Sequence, residues 1–313
     1  MKKFISNMAL MCLLVVVSLG AIATVNKQYL DKDNYLYEFP VKQQLIRNTP
    51  SPKIVFLGGS NVAFGLDCKA ISDSLHLPVI NAGLHAGLGL WFIMDNNIRL
   101  LRKGDILVIM PEYDHFTSNA NGESQTCGMI PYFASTAEMK HLNWEQSQNV
   151  IKGFGRVTMI SFVDGCKNLI RRKNADKYLY KKSGFNAVGD EVSHLSLPSD
   201  VDMHYFTPSG MEASLDNTYL DEFAAEVRRL ENKGIKVLLL PPAIYEAGYN
   251  LKTAAIAKVA SALSDRGIPF RADTKNFAYP VDMMYNTEYH INKLGVKANT
   301  QNILEVLHKL IRH

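Results

Sequence analysis

Short apolar runs that alternate with helical patterns are the feature that most constrains the fold of this chain. Residues 54–57 (Ile-Val-Phe-Leu) form one run, which Gly58 and Gly59 end, and residues 105–110 contain another. Such runs are typical of strands buried on both faces of a parallel sheet, because a half-exposed strand would alternate apolar with polar residues. With helical segments between the runs, the sequence predicts βαβ crossovers and an α/β fold.

The predicted sheet has about five parallel strands, and one insertion interrupts the pattern. The strands are predicted at residues 54–57, 78–81, 105–110, 236–240 and 269–272. The helices are predicted at residues 67–75, 90–102, 219–232, 253–265 and 294–311. The pattern weakens at about residues 117–218, where helical segments around 143–153 and 157–173 lie among Gly, Asn and Ser clusters. We interpret this region as an insertion over the carboxyl end of the sheet, where loops commonly contact ligands.

The N-terminus predicts export or membrane anchoring. Lys2 and Lys3 precede an apolar stretch at residues 4–25 that is close to the length needed to span a bilayer. Ala21-Ile22-Ala23 resembles a cleavage site, so residues 1–25 are either a removed signal peptide or an uncleaved signal-anchor. Both alternatives place the rest of the chain outside the cytoplasm, anchored to the cytoplasmic membrane or secreted to the periplasm.

The chain after this stretch divides into a tether and one domain. Residues 26–52 mix polar and aromatic residues and end in Asn48-Thr49-Pro50-Ser51-Pro52, which favours a tether followed by a break. Residues 53–313 are predicted to form one domain that contains the insertion.

Charge and cysteine usage exclude several classes of site. The formal net charge is +4, and the basic cluster at residues 167–173 has no aromatic platform beside it, so we predict no nucleic-acid partner. Cys68, Cys127 and Cys166 lack CxxC spacing, and we predict neither a metal site nor a cofactor.

A serine follows the first predicted strand directly. Gly59-Ser60-Asn61 would expose a hydroxyl at the start of the next helix, where backbone amides favour developing negative charge. This arrangement is typical of a nucleophile, with Gly59 and Asn61 as substrate-binding candidates. The alternative is that Ser60 caps the helix, since serine is a preferred N-cap residue.

The segment after the second strand offers further backbone amides. Gly83, Ala86 and Gly87 leave the backbone open to approach and are candidates for completing an oxyanion hole. The alternative is a tight turn that needs glycine. His85, which lies between them, is a candidate for a second acid/base group, and the alternative is a structural hydrogen-bond donor.

A histidine precedes the last predicted helix. His290 is a candidate general base for Ser60, because a neutral imidazole within hydrogen-bonding reach of a serine accepts its proton during attack. A group behind the ring would fix its tautomer.

From Lys53 to the C-terminus the chain resembles the SGNH/GDSL hydrolase superfamily, nearest to its membrane-tethered DltD-like and polysaccharide O-acetylation branches. The resemblance rests on Gly59-Ser60-Asn61, on residues 83–87 and on His290, which Asn292 and Gly295 follow. It implies a three-layer α/β/α sandwich, Ser60 as nucleophile with its amide as an oxyanion donor, a second amide among Gly83, Ala86 and Gly87, and His290 as base.

Two positions depart from the pattern of that superfamily. Where it places an asparagine as an oxyanion donor, this chain has Pro111-Glu112-Tyr113, so either Tyr113 is a substitute or no residue replaces it. Glu112 is a further oxyanion or substrate-binding candidate, and the alternative is that it caps a neighbouring helix or pairs with an arginine. Where it places an aspartate before the histidine, this chain has Asn286 and Thr287. Asn286, Glu288 or Asp282 would then orient the ring, or the site would work as a Ser/His dyad.

The resemblance leads to two expectations for function. The first is an extracytoplasmic serine esterase or O-acyltransferase that acts on acyl groups of cell-envelope glycans, with an acylated carbohydrate or other ester as substrate, the membrane as a contact and an acyl-transfer protein as a possible partner. The second is a catalytically degenerate module that binds glycan or supports envelope assembly. The missing carboxylate favours the second, because an orienting aspartate contributes orders of magnitude to turnover in serine triads.

Overall fold

The protein has an α/β architecture built on a four-stranded parallel sheet. The computed structural model describes residues 1–30, 33–117, 119–171, 180–201 and 214–311. The strands of the main sheet are β1 (Ile54–Gly58), β2 (Val79–Asn81), β3 (Ile106–Met110) and β4 (Lys236–Leu239), in the order β2-β1-β3-β4. The four central strand predictions and the α/β class are therefore confirmed.

Helices make up most of the remaining described structure. They are α1 (Lys2–Val25), α2 (Phe39–Asn48), α3 (Ser60–Ala63), α4 (Cys68–Leu75), α5 (Leu90–Asn97), α6 (Ser124–Cys127), α7 (Ile130–Phe133), α8 (Thr136–Met139), α9 (Trp144–Arg171), α10 (Asn217–Asn232), α11 (Glu246–Ser264) and α12 (Lys293–Ile311). The helix predicted at 90–102 ends earlier in a 3₁₀ turn, Ile98–Leu100, and the helix predicted at 253–265 begins earlier, at Glu246.

Both faces of the sheet are buried, as the continuous apolar runs predict. Along β1, Val55 and Leu57 enter one hydrophobic core with residues of α2, α5, α10 and α11. Ile54 and Phe56 enter the other core with residues of α4 and α12. Since successive side chains on a strand point to opposite faces, one five-residue strand contributes to both cores.

The fifth strand predicted at residues 269–272 is wrong. Arg271 N donates a hydrogen bond to Leu239 O at 2.8 Å, but Pro269 has no amide hydrogen and the segment does not extend the ladder. A separate parallel pair instead joins β5 (Ile244–Tyr245) to β6 (Ala278–Tyr279).

The segment predicted as a tether is folded onto the domain. The 3₁₀ turn Tyr35–Glu38 and helix α2 bury Tyr35, Phe39 and Ile46 in the first core. Lys42 in α2 is also buried and donates to Asn81 O at 2.9 Å, at the end of β2. The folded domain therefore begins well before residue 53, because these side chains occupy core positions.

By its length and apolar composition alone, helix α1 is able to cross a membrane. The helix continues through Asn26, a fully buried residue that donates to Thr158 O of α9 at 2.9 Å and to the Tyr132 hydroxyl at 3.3 Å. The end of α1 is thus attached directly to the insertion.

The two helical segments predicted in the insertion form the single helix α9. Gly153 lies within this helix because it packs against α6, where a Cβ atom at this position would approach Ser124 O to 1.7 Å. The glycine allows two backbones to come close and does not end the helix. The end of the second segment, residues 172 and 173, lies outside the described residues.

Candidate active site

Segments that follow β1, β2 and β3 meet the loop before α12 around one cavity of about 480 Å³. Ser60 and His290 both line this cavity. The carboxyl ends of parallel strands share one edge of the sheet, which explains how segments far apart in the chain come together. The structure therefore brings the predicted nucleophile and the predicted base to the same site.

Ser60 is the first residue of α3 and does not cap that helix. Gly59 holds the N-cap position with extended backbone angles. In the described part of the chain, the Ser60 hydroxyl makes no hydrogen bond. The capping alternative for Ser60 is therefore wrong, and the hydroxyl is left available to the cavity.

Gly59 is required by close contacts on both sides. A Cβ atom at this position would lie 2.7 Å from Glu112 Oε1 and 2.9 Å from the Ala86 Cβ atom. A side chain would force the three segments apart. Gly59 thus allows the Ser60 backbone to approach the segments after β2 and β3.

The amides of Gly83 and Gly87 are already bonded within their own segment. Gly83 N donates to Asn81 Oδ1, and Gly87 N donates to His85 Nδ1, both at 3.0 Å. Ala86 N has no hydrogen-bond partner among the described residues, and Ala86 is a residue of the cavity wall. The geometry therefore favours Ala86 as the second amide donor and leaves Gly83 outside the cavity.

Two histidines hold the Ala86 segment in place. His85 accepts from Gly87 N through Nδ1, so its proton is on Nε2, and burial lowers its pKa. His115 Nε2 donates to Ala86 O at 3.2 Å, and burial lowers the pKa of His115 to about 4. His115 was not identified from the sequence, since its contact with residue 86 depends on strand order.

His290 is held as a neutral ring by an amide and an aromatic face. Its Nδ1 lies 2.9 Å from Asn286 Oδ1, and because that oxygen only accepts, the proton is on Nδ1 and Nε2 has a free lone pair. Phe64 stacks on the ring at 4.3 Å between centroids and an interplanar angle of 8°. Burial, and then the neighbouring His194 and His85, lower the pKa of His290 to about 3.

The other groups considered for orienting His290 have different partners. Glu288 forms an ion pair with Lys252 at 2.7 Å. Thr287 Oγ1 accepts from His290 N at 3.2 Å and so shapes the turn. The carbonyl oxygen of Asp282 accepts from Asn292 Nδ2 at 2.7 Å, which fixes the loop at the start of α12. Among the predicted candidates, Asn286 is the one placed at the far nitrogen.

Tyr113 and Asn61 have core positions and do not line the cavity. The Tyr113 ring is fully buried and packs edge-on against Phe270 at 6.1 Å between centroids. Asn61 Nδ2 donates to Met110 O at 2.9 Å and so ties α3 to β3. Neither side chain is positioned to act as an oxyanion donor.

Glu112 lies beside the Ser60 backbone, in the place where the resemblance implies an asparagine. Its Oε1 accepts a long hydrogen bond, 3.5 Å, from Asn61 N. Burial and, next, Asp114 raise the pKa of Glu112 to about 8. The carboxyl group is therefore mostly protonated at pH 7.

A buried pair from the insertion supports the segment after His290. His194 Nδ1 contacts Glu191 Oε2 at 2.6 Å, and His194 Nε2 donates to Ile291 O at 3.1 Å. The ring therefore connects the Glu191 side chain to the backbone that follows His290. No local signal in the sequence marks these two residues, because their partner lies in a distant segment.

Within the described ranges, no group of three or more His, Cys, Asp or Glu side chains is arranged to hold a metal ion. The described residues around the cavity supply a hydroxyl, a neutral imidazole, main-chain amides and a carboxyl group. Comparisons with known proteins found no protein-family model that matches the chain and no curated protein with significant similarity to it.

Proposed function

We propose that the protein is an extracytoplasmic serine esterase or O-acyltransferase of the SGNH type, acting on acyl groups of cell-envelope glycans. One observation carries the proposal: Ser60 and His290 line one cavity, and Asn286 fixes His290 in the tautomer that accepts a proton on Nε2. The three-layer sandwich of that superfamily and export of the domain belong to the same proposal.

The reaction would begin with attack of the Ser60 hydroxyl on the carbonyl carbon of an ester. His290 Nε2 takes the hydroxyl proton, and the Ser60 and Ala86 amides donate to the oxyanion of the tetrahedral intermediate. The intermediate collapses when the C–O bond to the leaving alcohol breaks and His290 returns the proton to that alcohol. Water or a sugar hydroxyl then releases the acyl group by the same steps in reverse order.

Asn286 changes the electrostatics of this reaction. An asparagine orients the ring as an aspartate would, but it adds no negative charge to stabilise the imidazolium that forms during attack. Burial of His290 acts in the same direction, because it penalises the charged form. We therefore expect slower turnover than in a triad with a carboxylate.

The cavity and the N-terminus support the choice of substrate class. The cavity volume of about 480 Å³ lies within the range of small-molecule sites, and its wall includes Asp114, Asn119 and Glu123, whose polar groups suit sugar hydroxyls. Helix α1, if it is retained in a bilayer, would keep the domain beside envelope polymers and acyl-transfer partner proteins.

A second candidate function is a module that binds glycan without turnover. The observation that favours it is the amide at Asn286, where the resemblance implies a carboxylate. In this case the cavity would bind an acylated sugar, and Ser60 would not become acylated.

Labelling with a fluorophosphonate separates the two functions. The full-length protein in detergent is treated with the probe, alongside Ser60→Ala and the control Ser74→Ala, which removes an exposed serine in α4. We expect equal labelling of wild type and Ser74→Ala and none of Ser60→Ala. Hydrolysis of a chromogenic acetyl ester by the same proteins then measures turnover. If wild type forms no adduct that depends on Ser60, the proposed esterase or acyltransferase function is ruled out.

A further inference from the structure

Glu112 lines the cavity but has no part in the proposed mechanism as described above. Its Oε1 lies 3.5 Å from Asn61 N, and Gly59 lacks the Cβ atom that would collide with it. Ser60 lies between these two residues in the chain. The carboxyl group therefore lies beside the Gly59–Asn61 backbone, which contains the Ser60 amide proposed as an oxyanion donor.

The charges around Glu112 favour its protonated form. The titratable groups that share the cavity with it are Asp114, Glu123, Glu288, His85, His115, His290, Tyr180 and Tyr289. Three of these are carboxyl groups, and the pKa values of the three histidines are lowered. Lys252 is paired with Glu288, and the described cavity wall contains no lysine or arginine. An ionised carboxylate at Glu112 would be disfavoured, because its neighbours carry the same charge and its position is partly shielded from water.

We propose that Glu112 acts as a neutral carboxylic acid that donates a hydrogen bond to the oxyanion formed at Ser60. It would take the role that the resemblance assigns to an asparagine side chain. This inference rests on the proposed function. The proton stays on Glu112, so the step adds a third donor to the Ser60 and Ala86 amides and changes no bond.

The proposal predicts a specific dependence on pH. With a pKa of about 8, Glu112 is a donor below pH 8 and a carboxylate above it. The carboxylate cannot donate, and its charge repels the oxyanion. Acylation of Ser60 should therefore fall as the pH rises through about 8.

Glu112→Gln is the informative variant. Glutamine keeps an oxygen that accepts from Asn61 N and an N–H₂ group that donates to an oxyanion, but it does not ionise. We expect it to be labelled by a fluorophosphonate at pH 7 within about tenfold of the wild-type rate, without the decline above pH 8. Glu112→Ala, which has no donor, should be slower by about 10²-fold or more, the effect of removing one oxyanion donor.

Glu305→Gln, which changes an exposed glutamate on α12, is the matched control and should keep the wild-type profile. Thermal melts of all variants test folding. A wild-type alkaline decline in Glu112→Gln, or wild-type rates in folded Glu112→Ala, would overturn the proposal.

A second measurement does not depend on turnover. The infrared difference spectrum of wild type minus Glu112→Gln should contain a carboxylic-acid band at pH 7 that is replaced by carboxylate bands above pH 8. Absence of the acid band at pH 7 would overturn the proposal whether or not Ser60 reacts. An acid band in a protein whose Ser60 never reacts would instead contradict the proposed function, and with it the oxyanion role of Glu112.

Discussion

His290 Nδ1 and Asn286 Oδ1 are 2.9 Å apart, so a neutral amide orients the imidazole that faces the cavity. Phe64 covers one face of the ring, and the ring is almost fully buried. Together these contacts keep His290 neutral and fix its tautomer. They also make it a weak base, because burial opposes the imidazolium form.

Changes at Asn286 should alter turnover in opposite directions. Asn286→Ala removes the acceptor for Nδ1–H and should lower kcat/KM for a chromogenic acetyl ester by about 10²-fold or more, since the ring loses its tautomer preference. Asn286→Asp supplies a charge that stabilises the imidazolium and should raise kcat by about tenfold or more. Asn250→Ala, at an exposed position in α11, serves as the control. Equal activity of all these proteins would contradict an orienting role for Asn286.

Activity that depends on His290 as a base should persist to an unusually low pH for a histidine. The pKa of His290 is lowered to about 3, so the base form is present above that pH and is lost as the pH falls through it. Wild-type kcat should therefore change little between pH 7 and pH 5, whereas Asn286→Asp should lose activity at a higher pH, because a carboxylate raises the pKa of the ring. A wild-type midpoint near 6.5 would show that His290 is not held as described.

Glu112 should weaken the fold at neutral pH. Burial raises its pKa from 4.5 to about 8, so the folded state retains a proton that the unfolded state loses above pH 4.5. Below pH 4.5 both states hold the proton, and Glu112 does not lower the free energy of unfolding. As the pH rises from 4.5 to about 8, the free energy of unfolding declines, and above about pH 8 it declines no further. Glu112→Gln should therefore exceed wild type in free energy of unfolding by about 3 kcal/mol at pH 7. In urea titrations this difference should vanish near pH 4, and its persistence there would contradict the explanation.

Removal of Lys53 should expose the cost of a buried charge. Lys53 Nζ lies 2.8 Å from Asp105 Oδ2, and both side chains are fully buried. Lys53→Ala should destabilise the protein by about 3–5 kcal/mol, because Asp105 is left without its counter-charge. Lys69→Ala breaks the exposed pair with Asp73 and should have little effect on the urea midpoint. Similar midpoints for the two variants would show that Asp105 finds another partner.

Gly59→Ala should impair the site more than the fold. The added methyl group would lie within 3 Å of both Glu112 and Ala86, so one of these segments must move. Unfolding should become easier by about 1–3 kcal/mol, while Ser60 labelling should fall by at least about 10²-fold. Gly155→Ala adds a methyl group whose nearest contact is at 3.8 Å and should behave as wild type. Normal labelling of Gly59→Ala would mean that the three segments need not meet.

The sequence was a good guide where local pattern decides structure. Apolar runs identified β1 to β4, because strands buried on both faces carry no polar alternation. Ser60 and His290 were identified from the residues around them, and the structure places both in one cavity. In contrast, β5 and β6 have two residues each, which is too short for any periodicity to be detected.

Non-local contacts explain what the sequence did not predict. The sequence pattern predicts a break in the helix near Gly153, but this glycine allows a close crossing with α6. The local composition of residues 39–48 predicts part of a tether, yet their apolar side chains complete a core formed by distant segments. The choice of Ala86 over Gly83 and Gly87 depends on which amides are already bonded, and the Glu191–His194 pair depends on Ile291.

The attachment of α1 through Asn26 limits where such an enzyme could work. A flexible linker would let the domain sample a wide range of heights above the membrane, but Asn26 at the end of α1 donates hydrogen bonds to Thr158 and Tyr132 of the domain itself. With α1 inserted in a bilayer, this attachment would restrict the height and the tilt of the cavity mouth relative to the membrane surface. Polymers or carrier proteins would have to deliver their acyl groups to that level.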